Sequence, residues 1–138
     1  MERSEIESAL REAYARREAN DPVSAGAIFA PDATYRVAGS KDHCGAVRSV
    51  SASDMGPALN QLFSVFRAKK FDITSMLIDD DHAAVTIRAT FDFTPTGETI
   101  STDLAHFWTF RDGQAIELLE FLDTAHVVSL QAQVPAAK

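Results

Sequence analysis

From Phe71 onward the chain consists of long strand-type runs broken by turn signals, and this narrows the possible folds most. FDITSMLI runs to the polar turn Asp79–His82, and HAAVTIRATFDFT follows up to Pro95-Thr96-Gly97. TISTDLAHFWTF comes next, then Arg111-Asp112-Gly113-Gln114 and AIELLEFLD. Asp-Gly suits a two-residue hairpin loop, because both positions need a positive φ. The runs reach about 10–12 residues against a usual five or six, and strands that long bend or twist.

The first half has a different period. Ile6, Leu10 and Tyr14 recur every four residues, beside Ala9 and Ala13, which predicts one helix face. The helix should stop near Asn20, and Asp21-Pro22 reads as a cap and first residue of a short second helix. That helix is expected to carry Ile28 and Phe29 inward and to end at Pro31-Asp32, before a strand over Ala33–Val37. Residues 38–53 read as a surface loop, with a flap over a pocket as the alternative. Ser53 or Asp54 can cap a third helix, in which Leu59, Leu62, Phe63 and Phe66 share a face. A short helix from Thr124 and a frayed end close a single domain, 1–138, with a disordered tail expected over 132–138. Helices followed by a strand meander predict an α+β fold, a cone-shaped curved antiparallel sheet packed against three or four helices. The interior of such a cone suits a small molecule.

Composition excludes several functions. Thirteen basic against 20 acidic residues give a net charge of −7, the wrong sign for neutralising nucleic-acid phosphates. One cysteine, Cys44, cannot build a disulfide framework or a cysteine-rich zinc site, and it reads as a spare thiol. No signal segment and no apolar run near the roughly 18 residues of a membrane span is visible, so a cytoplasmic protein is expected. Asp79-Asp80-Asp81-His82 lacks the spacing of a calcium loop, and no phosphate loop or GxSxG elbow is present. No metal and no cofactor is expected.

Strand alternation assigns faces. Pairing Arg111 with Gln114 and Thr94 with Glu98 places Arg88, Thr90, Thr102, Leu104, His106, Trp108, Leu119, Phe121 and Asp123 together. It leaves Ile87, Phe91, Phe93, Phe107, Leu118, Glu120 and Leu122 opposite, and a slip of one residue at either turn would flip a strand. The first face, apolar with a few convergent polar groups, reads as the pocket for a small hydrophobic molecule. The outer face is expected to be covered in a homodimer.

FAPDATYRVAG and WTFRDGQAIELLEFLDTA resemble the SnoaL-like, ketosteroid-isomerase-related branch of the nuclear-transport-factor-2-like superfamily. The resemblance covers roughly residues 5–130. It implies a cystatin-like α+β barrel, often dimeric, on a scaffold that hosts many activities. The polyketide cyclases of this scaffold imply a general acid/base at Asp123. The limonene-epoxide-hydrolase type implies Asp123, Tyr35 and Arg88, but Thr90 replaces its second aspartate and Val37 its asparagine. The ketosteroid isomerases imply a base where Val37 stands, a tyrosine within one residue of Tyr14, and an oxyanion donor at His106.

The candidate catalytic residues are therefore Asp123, His106, Arg88 and Tyr35. The candidate ligand contacts are Tyr14, Thr90, Thr102, Leu104, Trp108 and Phe121. The leading expectation is a cofactor-independent isomerase, cyclase or hydrolase, with Asp123 moving a proton on a hydrophobic substrate. The alternative is a non-catalytic ligand-binding or scaffold protein, in which Arg88 and Asp123 form a structural pair and Asp123 caps the last helix. A protein-binding adaptor is a third reading.

Overall fold

A computed structural model describes residues 1–39, 50 and 52–134. Four helices and five strands follow in the order α1 (Arg3–Glu18), α2 (Pro22–Gly26), β1 (Phe29–Val37), α3 (Met55–Val65), β2 (Phe66–Asp79), β3 (His82–Phe93), β4 (Glu98–Arg111), β5 (Gln114–Phe121) and α4 (Thr124–Ala132). A short 3-10 turn, Ala52–Asp54, precedes α3. Most of the loop expected over 38–53 and the end of the expected tail lie outside the described residues. Val50 lies within them and exchanges two backbone hydrogen bonds with Tyr35.

The sheet runs β1-β5-β4-β3-β2 and is mixed, because β1 joins β5 in parallel while the other pairs are antiparallel. The fold is α+β as expected, but the sheet is not wholly antiparallel. The chain reaches β1 before the meander begins and needs a long crossover to lie beside its last strand. Strand β1 starts earlier than expected, at Phe29, and Pro31 lies inside it rather than closing α2.

Ile6, Leu10 and Tyr14 of α1 are buried as their spacing requires. Asp21 caps α2 through the Ser24 N–H at 3.1 Å, with Pro22 in the first turn. Asp112 and Gly113 have φ of 51° and 83°, closing the β4–β5 hairpin as Asp-Gly predicts.

Both neighbours of β4 are turned over relative to the expected register. At the β3–β4 turn, Phe93 rather than Thr94 pairs with Glu98. Thr94 is drawn out of the ladder by the end of α3: its N–H donates to Val65 O at 2.9 Å and its hydroxyl to Ser64 O at 2.8 Å. At the other hairpin, Thr109 pairs with Glu117 and Phe110 with Ala115, so Ile116 is an extra residue that flips the rest of β5. The inner face therefore carries Ile87, Ala89, Phe91, Leu104, His106, Trp108, Leu118 and Glu120, all buried. Arg88, Thr90 and Phe121, expected on this face, are on the outer one. Arg88 pairs with Asp103 at 3.2 Å, Thr90 with the Ser101 hydroxyl at 3.0 Å, and the Phe121 ring lies against Phe107.

Candidate functional site

The inner face of the sheet and the four helices line a cavity of about 340 Å³. That volume is at the small end of the range for ligand pockets. Its wall is mostly aliphatic and aromatic, with Tyr14, Arg17, Tyr35, His106, Glu120, Asp123 and His126 as the ionisable exceptions.

His106 and Glu120 face each other directly across β4 and β5, with His106 Nε2 at 2.5 Å from Glu120 Oε2. The other carboxylate oxygen accepts the Tyr35 hydroxyl. On its far side, His106 Nδ1 lies 2.6 Å from the Tyr14 hydroxyl, which also accepts the Trp108 indole N–H at 3.0 Å. The rings reinforce this arrangement. Tyr14 is stacked on both His106 and Phe71, and Trp108 meets Tyr14 edge-on. Five side chains from α1, β1, β4 and β5 thus form one continuous buried network.

Burial alone would push the Glu120 carboxyl up. The His106 ring bonded to it, the Tyr35 hydroxyl and the Arg17 guanidinium together outweigh burial and hold Glu120 below its ordinary range. Burial and the nearby Glu120 charge push both phenols well above theirs, although the Trp108 hydrogen bond partly offsets this at Tyr14. Glu120 is therefore a carboxylate, and Tyr14 and Tyr35 are neutral hydroxyls. The Arg17 guanidinium lies 4.1 Å over the Phe63 ring and donates to Phe66 O at 2.8 Å. Burial lowers its pKa to about 10, against the opposing pull of Glu120.

A SnoaL-like domain family model matches residues 10–118, most of the chain. The chain belongs to the SnoaL-like family. Solved structures share its fold at low identity. An NTF2-like protein of unknown function from Burkholderia pseudomallei is 17% identical, with 96% of this chain and 98% of that one covered and a TM-score of 0.78. A candidate SnoaL-like polyketide cyclase from Jannaschia is 15% identical over 98% and 94%, with a TM-score of 0.74. TerC, co-crystallised with polyporic acid, is 19% identical over 91% and 98%, with a TM-score of 0.75. No protein of curated function matches.

On this SnoaL-like scaffold the expected site is partly redrawn. His106, Tyr35, Tyr14, Trp108, Leu104 and Thr102 all line the cavity. Asp123 reaches its rim but is exposed, and its carboxylate accepts the His126 N–H at 3.0 Å as the cap of α4. It stands outside the buried network, and the expected Arg88–Asp123 pair does not form. Two residues at the centre, Glu120 and Arg17, were not among the expected ones. Glu120 was hidden by the bulge at Ile116. Arg17 continues the spacing of Ile6, Leu10 and Tyr14 by three residues, a signal masked by its charge.

Proposed function

We propose that the cavity binds a hydrophobic, ring-containing molecule with a carbonyl or hydroxyl oxygen and moves a proton on it, with His106 as the acid–base group. One observation carries this reading: the His106 ring is held between a buried carboxylate and a tyrosine hydroxyl in the wall of an apolar cavity. The expected activity is kept, but the proton carrier is moved from Asp123 to the His106–Glu120 pair. No cofactor is required by this chemistry.

An ionised carboxylate only accepts, so His106 Nε2 carries a hydrogen toward Glu120 and Nδ1 is the nitrogen that exchanges protons. When His106 is neutral, Tyr14 donates its hydroxyl hydrogen to Nδ1. As Tyr14 passes that hydrogen to Nδ1, its oxygen takes a proton from an acidic C–H or O–H of the substrate. The products are an imidazolium paired with Glu120 and a substrate oxyanion. The new Tyr14 hydrogen then faces that oxyanion, and Trp108 continues to donate to the Tyr14 oxygen. Running the relay backward onto the same atom gives hydrogen exchange, and onto a conjugated atom it gives an isomerisation. A SnoaL-like family model and a candidate cyclase of the same fold support this class of chemistry. TerC, crystallised with polyporic acid, supports an organic ligand in a cone of this kind.

Exchange of α-hydrogens in a panel of cyclic ketones, followed by NMR in D2O, tests the proposal. The wild type should accelerate exchange, and His106→Ala should lose about 10²–10⁴-fold of that rate. Equal rates in the two proteins would remove His106 from the chemistry. Ketone binding by calorimetry with no exchange would make the protein a binding module.

A further inference from the structure

Helix α1 brings a second charge to the cavity that the proton relay does not use. Arg17 is buried, yet among the described residues it has no carboxylate partner in an ion pair. A guanidinium has five N–H donors in a planar fork. Its bonds here are to Phe66 O at 2.8 Å and, at 3.5 Å, to Asn20 Oδ1. One flat face is occupied by the Phe63 ring, and the Phe91 ring lies 5.1 Å from the same carbon. Aromatic faces attract a cation but cannot fill its hydrogen-bonding edge. Glu120 pulls on this cation through space, but no hydrogen bond joins the two, and a buried cation is costly unless a hydrogen-bonded negative partner reaches it.

We infer that Arg17 anchors a carboxylate on the ring compound that this cavity binds. The inference rests on the cavity being the ligand site, and it does not depend on turnover there. Guanidinium and carboxylate match as planar, two-pronged partners, a geometry that lysine cannot reproduce. The position also orients the ligand. Tyr14 and Arg17 are three residues apart on α1 and so are surface neighbours. The Phe71 ring lies 5.7 Å from each of them, linking the cation to the His106 network. A carboxylate on Arg17 therefore lays the ring along the wall formed by Phe63, Phe71 and Phe91, with its other end toward Tyr14 and His106. The substrate class is an aromatic or alicyclic acid with a second oxygen function about one ring away from the carboxylate.

Calorimetric titration with naphthoate and with acetylnaphthalene separates the two ideas, because the ketone keeps the rings and removes the charge. Wild type should bind naphthoate about tenfold or more tighter than acetylnaphthalene, the effect of a charge-assisted hydrogen bond. In Arg17→Gln the preference for the acid over the ketone should fall to about one, and Arg17→Lys should recover only part of it. Binding of the ketone without preference for the acid in wild type overturns the Arg17 assignment and leaves the cavity reading intact. A preference that survives in a folded Arg17→Gln also overturns it. Failure of wild type to bind either probe overturns the cavity reading, and the Arg17 assignment with it. Where Arg17→Gln does not fold, a preference left undiminished in Arg17→Lys overturns the assignment in its place.

Discussion

Replacing His106 with alanine would leave the Glu120 carboxylate buried with the Tyr35 hydroxyl as its hydrogen-bond partner and Arg17 only as a more distant positive charge. Removing one member of a buried pair typically costs about 3–5 kcal/mol, because the remaining charge is uncompensated. Urea unfolding of His106→Ala should show a free-energy loss of that order, seen as a lower midpoint with little change in slope. Glu120 also carries a pH signature. Its carboxyl is held below the ordinary 4.5, so its contribution to stability is complete above that value. The contribution is lost as the pH falls through the lower folded value, since only then is the native carboxylate protonated. The stability difference between wild type and Glu120→Gln should therefore shrink on acidification. A difference that stays constant from neutral to acid pH would mean that Glu120 is not a net stabilising carboxylate.

The end of α1 works as a clamp on the edge strand β2. Arg17 donates to Phe66 O, Glu18 accepts the Phe71 N–H at 2.9 Å, and Asn20 bonds Ala68 in both directions at 2.8 and 2.9 Å. These side chains satisfy backbone groups that an edge strand would otherwise leave open. Asn20 also has a φ of 57°, a conformation that asparagine tolerates better than most residues. Asn20→Ala should cost about 1–3 kcal/mol by urea unfolding, as buried Ala68 loses both partners. It should also weaken naphthoate binding, because α1 holds Tyr14 and Arg17 over the cavity. Elements such as α1 were legible in the sequence because their determinants are local. The face of Ile6, Leu10 and Tyr14 and the Asp112-Gly113 turn each follow from neighbouring residues. The register of β3 and β5 was not legible, because its causes are remote or silent. Thr94 is captured by α3, about thirty residues away in the chain, and nothing in the identity of Ile116 marks a bulge. Those two slips turned Arg88 outward and Glu120 inward. The pocket wall on β4 could thus be read, while its central carboxylate could not.

At the scale of the molecule, the outer sheet face remains to be covered. Leu77, Ala84, Phe107 and Leu119 are cross-strand partners in one row over β2, β3, β4 and β5. Phe121 lies beside this row with its ring 5.7 Å from Phe107. Leu77, Phe107 and Phe121 are 69%, 48% and 46% exposed, a contiguous apolar strip of the kind that a stable monomer rarely leaves in water. Next to it, Arg88 and Asp103 provide one charge of each sign on adjacent strands. A two-fold axis parallel to the strands and between β3 and β4 would set each charge opposite the other sign on the second copy. A homodimer through this face, the arrangement expected from the sequence, is thus a prediction with named residues. Light scattering of the wild type should give twice the chain mass, and Phe107→Glu combined with Phe121→Lys should give a monomer. Because His106 and Glu120 project from the opposite side of the same strands, the monomeric variant should keep its affinity for naphthoate within about threefold. A wild type that stays monomeric at high concentration would leave the strip to a different partner. A variant that loses both dimer and ligand would instead couple the outer face to the cavity through β4 and β5.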